Sequence, residues 1–482
     1  MRDPCDNAPM LRAIPLLGPS LLGLLTTLAC SSDTKSGNDA GTASSDGGKA
    51  STGGAMSSGG ASTNGGASAN GGASANGGST NSPDSSDGAS SGGLAGASAG
   101  GNAGASTTPD GGGPKRCGGI AIPMGTSGPS GGALDKWTDV TPKGISLTLS
   151  DFGGDNYGAQ DVLVDPVRPS DLYAFFCHQG VYKSTDYGQT WKKTNTGTNG
   201  AMLDAGKPWG EAIDTDRCRD PNVPPTLYSA GSQGSFWRST DGGVSWEKFA
   251  LPEDGKARTQ DGYDVDVDPY DGKHLILGFH EESGLAESFD GGETWRSVTL
   301  ASGMSSGISW YAFFIDTGEP ATTRKTWLMI AQATGGNDGT WRTADGGVTW
   351  KRVESNEHGH GQAQLFQSGG VVYMAGVYGT QGWGVYRSTD FAATWSHVGS
   401  MGGQNGVYGS AKYVYAQSGG ANAGGVDQTQ SERAALPDGM TWPTWPVSVG
   451  NGPKHAAVTY DGAHYVIVGG NWLSGLWRYV EP

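Results

Sequence analysis

Five copies of one eight-residue pattern constrain this chain more than any other feature in it. They run from Ser184 to Trp191, Ser239 to Trp246, Ser288 to Trp295, Thr343 to Trp350 and Ser388 to Trp395, each of the form Ser/Thr-x-Asp-x-Gly-x-Ser/Thr-Trp; only Ala392 breaks the Gly position. In such a pattern Asp closes a tight hairpin by accepting backbone N–H bonds, Gly takes the positive-φ position, and Trp anchors the strand that follows. The tryptophans stand about 45 to 55 residues apart, the length of a repeat of four short strands. Units of that size bury a core only by stacking on one another, which makes the folded part all-β.

The pattern resembles the Asp-box, or bacterial neuraminidase repeat, with Asp186, Asp241, Asp290, Asp345 and Asp390 as the structural aspartates. The resemblance implies a β-propeller in which each box joins the third strand of a blade to the fourth. In the first blade the strands are expected at 159–165, 172–177, 180–184 and 191–194. Two further blades are read without a box, one from about 406 through 412–417 to 441–442, the other over 456–460, 464–468 and 476–480. The chain then ends one strand short, and 136–140 looks like the missing strand, whose pairing with the last blade would close the ring. The expectation is a single seven-bladed domain over 117–482.

What precedes it cannot build a core. All 16 Trp, 17 Tyr and 11 Phe lie at or beyond Trp137, while residues 31–116 repeat Gly, Ala, Ser and Asn in units such as GGASANGG. That composition makes a disordered tether. Residues 1–30 read as a lipoprotein-type signal: Arg12 precedes a short apolar run, and Thr27-Leu28-Ala29-Cys30 resembles a lipobox with Cys30 as the lipidated residue. Ordinary signal-peptidase cleavage is the alternative, and Met10 is an equally workable start. Without Asp after Cys30, the anchor would place the protein at the outer membrane and cell surface; otherwise it is secreted.

A net charge of −16 excludes non-specific binding to nucleic acid or anionic lipid, leaving the lipid anchor as the membrane contact. Among Cys117, Cys177 and Cys218 one disulfide and one thiol are expected. No Cys-x-x-Cys pair occurs, His358-x-His360 lacks a third ligand nearby in sequence, and the pattern implies no metal or cofactor. A monomer is expected.

Functional residues are sought on the face opposite the boxes, made by the starts of the inner strands and the loops between second and third strands. It offers Tyr157, Trp209, Trp310, Tyr311, His360, Trp383 and Trp472 as sugar-binding groups, since aromatic rings stack on the C–H faces of sugars. Asp161, Glu211, Asp264 and Glu281 are the carboxylates from which a glycoside hydrolase could draw an acid and a base or nucleophile. His178, His280 and Tyr263 could instead serve a polysaccharide lyase, which abstracts the proton α to a uronate carboxylate.

A sialidase needs clustered arginines to hold a carboxylate, yet Arg238, Arg296, Arg342 and Arg387 stand beside the boxes. The blade style of Asp161 to Ser184 is similar to that of the two-propeller xyloglucan-active hydrolases. Where that family carries an Asp in the first blade, however, this chain has Phe176-Cys177-His178-Gln179. The reading is therefore a surface propeller that engages polysaccharide, as a hydrolase, or alternatively as a lyase, or as a glycan- or protein-binding module like the sortilin-type propellers.

Overall fold

The computed structural model describes residues 130–482 except 155, 233–234, 252–261, 280–283, 301–303, 305–306, 334–338, 356–364, 377–383, 400–403, 419–430, 446–454 and 471–473. It also describes the short backbone pair Arg116–Cys117 and Ile120–Ala121. Contacts divide the chain into Met1–Asp87 and Gly88–Pro482, and the fold below belongs to the second unit. The expected signal with Cys30, and the tether as far as residue 115, lie outside the described residues.

Seven antiparallel sheets follow one another along the chain, six of four strands and one of three, making a seven-bladed β-propeller. Blade one is Ala159–Val164, Leu172–Phe176, Gly180–Ser184 and Lys192–Lys193, from the inside outward. The outer strand starts one residue after Trp191 rather than at it. Blade seven is His455–Tyr460, Tyr465–Gly470 and Trp477–Val480, completed by Trp137–Asp139 from the other end of the domain. Trp137 pairs with Tyr479, and its ring packs on Tyr479 and Trp445 at 5.2 and 5.7 Å. The edge that an open ring would expose is thereby paired.

Each box folds as its chemistry requires. In the first, the Ser184 hydroxyl donates to Asp186 Oδ1 at 2.7 Å and accepts the Gly188 N–H at 2.9 Å. Thr190 donates its N–H and its hydroxyl to the two Asp186 oxygens at 2.9 and 2.6 Å. Burial alone would raise the Asp186 pKa, but the bonds from Thr190 and Ser184 outweigh it and hold the carboxyl below its ordinary range. Gly188 has φ 78°, and Ala392 adopts φ 64° despite its Cβ. At Gly292 a Cβ would come within 2.0 Å of Phe236 in the preceding blade, so there glycine is required for space as well as for backbone conformation. Trp295 packs edge-on against that same Phe236 at 4.9 Å, which is how the box Trp joins neighbouring blades.

Blade six carries an eroded sixth box. Its strands are Gln404–Gly409, Tyr413–Ser418 and Ser431–Ala435. Ala435 stands where the others have Ser or Thr and Pro437 where they have Asp, yet Trp442 Nε1 still donates to Gly439 O at 3.1 Å, as Trp246 does to Gly243 O. The lost hydroxyl is replaced by the Ala435 carbonyl, which accepts the Gly439 N–H at 2.8 Å.

Arg238 and Arg342 beside their boxes, and Arg478 in blade seven, staple blades together, whereas Arg296 and Arg387 bond Glu287 and Tyr373 within their own blades. Arg238 Nη1 donates to Gly291 O at 3.2 Å, Arg342 Nε to Phe391 O at 2.8 Å, and Arg478 Nε to Tyr187 O at 2.9 Å, each reaching the next box around the ring. Between the blades lie side chains such as Trp237 and Trp327, both fully buried and each worth about 2–3 kcal/mol of apolar transfer. Cys218 is disulfide-bonded, and Cys177 is buried as a thiol.

Candidate functional site

Three of the carboxylates expected from sequence meet in the protein interior. Asp161, Glu211 and Asp264 come from the innermost strands of blades one, two and three, near the ends where those strands begin. The boxes lie at the opposite ends of the blades. In blades one and three the register shifts immediately before the Asp, between Ala159 and Asp161 and between Gly262 and Asp264. A bulge of this kind turns a side chain away from the regular alternation.

All three are buried, with Asp161 1%, Glu211 0% and Asp264 4% exposed. Burial, then the charges of Glu211 and Asp264, holds the Asp161 pKa well above the ordinary range, against a hydrogen bond from the Val162 N–H at 2.7 Å. Burial pushes Glu211 up to about 8, although the Ser229 hydroxyl donates to its Oε1 at 2.8 Å. Asp264 is raised by burial, then by Asp266 and Glu211, while the Ala312 N–H pulls the other way. Like charges that close in a dry setting cannot all ionise, so the group retains protons at neutral pH. Asp161 Oδ2, Glu211 Oε2 and Asp264 Oδ2 have no hydrogen-bond partner among the described residues.

Beside the acids runs an arc of rings, one per blade. Tyr157 lies 5.4 Å from Trp209, Trp209 6.0 Å from Tyr263, and Tyr263 5.0 Å from Tyr311. Sequence reasoning put Tyr157, Trp209 and Tyr311 on sugars and Tyr263 in proton transfer. Trp209, Tyr263 and Tyr311 are instead 6%, 1% and 0% exposed, their faces occupied by one another; Tyr157 alone of the four is partly open. The rings fix the inner strands that carry the acids, and the signal for this was their recurrence at matching positions of consecutive blades.

His178 has φ 56°, donates its N–H to Gly206 O at 2.9 Å and stacks on Phe152 at 5.6 Å. Its surroundings are therefore not those of Tyr263, which sits in the ring arc. Glu281, His280, His360, Trp383 and Trp472 lie outside the described residues, and of Trp310 the backbone strand alone is described. Sequence reasoning passed over His274 on the box side. It is fully buried between Asp268 and Glu287, at 2.9 and 2.8 Å, and these two carboxylates raise its pKa against the opposing effect of burial.

No family model matches the chain. It is 27% identical over 233 residues to a probable oligoxyloglucan-reducing end-specific xyloglucanase of Neosartorya fischeri, covering 47% of this chain and 26% of that one. To xyloglucanase Xgh74A of Acetivibrio thermocellus it is 27% identical over 263 residues, covering 51% and 26%. The chain thus spans about a quarter of the length of these curated relatives. Among solved structures, the GH74 xyloglucanase from Xanthomonas campestris aligns with a TM-score of 0.49 at 18% identity, covering 71% of this chain and 53% of that one.

Proposed function

We propose that this propeller is a glycan-degrading glycoside hydrolase that acts on a polysaccharide of the xyloglucan class, with Glu211 as general acid and Asp161 as its partner carboxylate. The observation that carries the reading is the set of acids from three adjacent blades, one of which holds its proton to about pH 8. Cleavage of a glycosidic bond needs a proton for the departing oxygen and a second carboxylate to activate water or attack the sugar. Glu211 suits the first role, because its proton is present at neutral pH and is not spent on a backbone partner. Asp161 takes the second role by position, as the neighbouring carboxyl whose pKa the Glu211 charge raises; the Val162 N–H opposes that rise without cancelling it, so Asp161 must give up its proton before it acts as base or nucleophile. Asp264, held above its ordinary pKa by burial, would favour the positive charge developing on the sugar ring only in its ionised form. The matched relatives bear the name xyloglucanase, which suggests the substrate class.

A lipid-anchored or secreted monomer on the bacterial surface is the setting we infer for it, on the strength of residues 1–30. A second reading, glycan binding without turnover, is favoured by the near-complete burial of the same acids.

The test is release of reducing ends from xyloglucan by the full chain. Turnover is expected to fall above about pH 8 as Glu211 ionises, and to drop at least a hundredfold in Glu211→Gln. Retention on xyloglucan with no new reducing ends would replace the hydrolase with the binding module. Absorbance from an unsaturated uronate would replace it with the lyase.

A further inference from the structure

The face opposite the acids holds a cleft of about 900 Å³ between blades two and three. One wall is the segment from Asp214 to Thr226, which joins the first two strands of blade two; the other is the turn and box of blade three. The long wall is preformed. Asp214 and Asp216 side chains accept the N–H groups of Asp216 and Cys218 at 2.9 and 2.7 Å, Thr215 Oγ1 donates to Asp268 O at 3.0 Å, and Cys218 is tied by its disulfide. Arg219, nearly buried, pairs with fully buried Asp165.

The opposite wall presents a held aromatic ring. Tyr270 is 45% exposed, yet its hydroxyl donates to Asp316 at 2.9 Å and its N–H bonds Asp268, so the ring is fixed with its apolar surface open. Around it stand Arg217, Arg238 and Lys273 as donors, with Asp216 and Asp271 as acceptors. Arg238 Nε is buried without a hydrogen-bond partner among the described residues. Interleaved donors and acceptors beside an exposed ring suit hydroxyls, each of which donates and accepts, and a sugar C–H face. Five lining carboxylates, from Asp214, Asp216, Asp271, Asp290 and Glu293, disfavour an anion, and the three cations disfavour a cation.

We propose that this cleft is a second, non-catalytic binding site for a neutral oligosaccharide chain, stacked on Tyr270 and hydrogen-bonded by Lys273 and Asp216. It goes beyond the hydrolase reading, although it rests on the same glycan class. A propeller that grips a polymer on one face and cuts on the other stays on its substrate between cuts, because the second contact becomes intramolecular.

The experiment uses the full chain in gels containing soluble xyloglucan, in a Glu211→Gln background that leaves the polymer intact. Tyr270→Ala and Lys273→Ala are each expected to weaken retention about fivefold, the loss of one stacking or hydrogen-bonding contact. Lys273 is exposed, so its variant tests the site without disturbing the fold. In the otherwise unaltered enzyme both substitutions should leave turnover of a short xyloglucan oligosaccharide unchanged. Unchanged retention in both variants, with turnover present in the unaltered enzyme, overturns the second site alone. An unaltered chain that neither retains nor cuts xyloglucan overturns the second site and the hydrolase together.

Discussion

Replacing Glu211 by Gln should make the protein more stable at neutral pH while removing its proposed acid. The Glu211 carboxyl moves from its ordinary 4.5 to about 8 on folding. A carboxyl with a raised folded pKa contributes stability that is fully present below about 4.5 and is lost as pH rises through about 8. Between those limits the unfolded chain releases a proton that the fold retains, and stability falls by about 1.4 kcal/mol per pH unit. At pH 7 the accumulated loss is about 3 kcal/mol. Gln does not titrate, and its carbonyl oxygen can keep the bond that the Ser229 hydroxyl makes to Glu211 Oε1. Asp161 and Asp264, whose pKa values the Glu211 charge raises, would move back down on its removal, which adds to the stabilisation at neutral pH. Urea unfolding of both proteins at half-unit steps from pH 4.5 to 8 should therefore give curves that diverge by about 3 kcal/mol at pH 7. The box aspartates titrate below this window, and His274 is common to both proteins and cancels. Parallel curves would refute the reasoning, because they would mean that the Glu211 carboxyl is not desolvated.

Two further substitutions probe the frame. Gly292→Ala should cost about 3 kcal/mol in urea unfolding, because the methyl meets Phe236 and the residue keeps a positive φ, whereas the fifth box tolerates Ala392 at the same place. Trp137→Ala should cost about 3–5 kcal/mol by the same measurement and leave the first and last blades the earliest to exchange amide hydrogens, since Trp137 packs where the ring closes.

The fold was legible because its signals are local. A box is eight consecutive residues whose side chains bond their own backbone, so the sequence pattern and the hydrogen bonds of Ser184, Asp186, Gly188 and Thr190 are the same fact stated twice. The spacing of the boxes and the lone strand at Trp137 then required a closed ring. The eroded box at Ala435 to Trp442 escaped notice because a backbone carbonyl, which every residue carries, took over from a hydroxyl. The candidate site was legible in membership and not in character. Asp161, Glu211 and Asp264 were picked out by their places at the starts of strands, but His178 and Tyr263 carried the same standing there, and the structure sets them in different surroundings.

By itself, the sequence determined the all-β class, the number of blades, the closure and the face on which the acids would stand. Each of these follows from hydrogen bonds and strand lengths within one repeat or between adjacent repeats. Only the tertiary structure decided that Trp209, Tyr263 and Tyr311 spend their faces on one another, that Arg238, Arg342 and Arg478 staple blades to the next box, and that three acids lose their water together. Exposure, desolvation and the sharing of protons belong to whatever surrounds a side chain. In a propeller those surroundings come from the blades to either side, about 50 residues away along the chain.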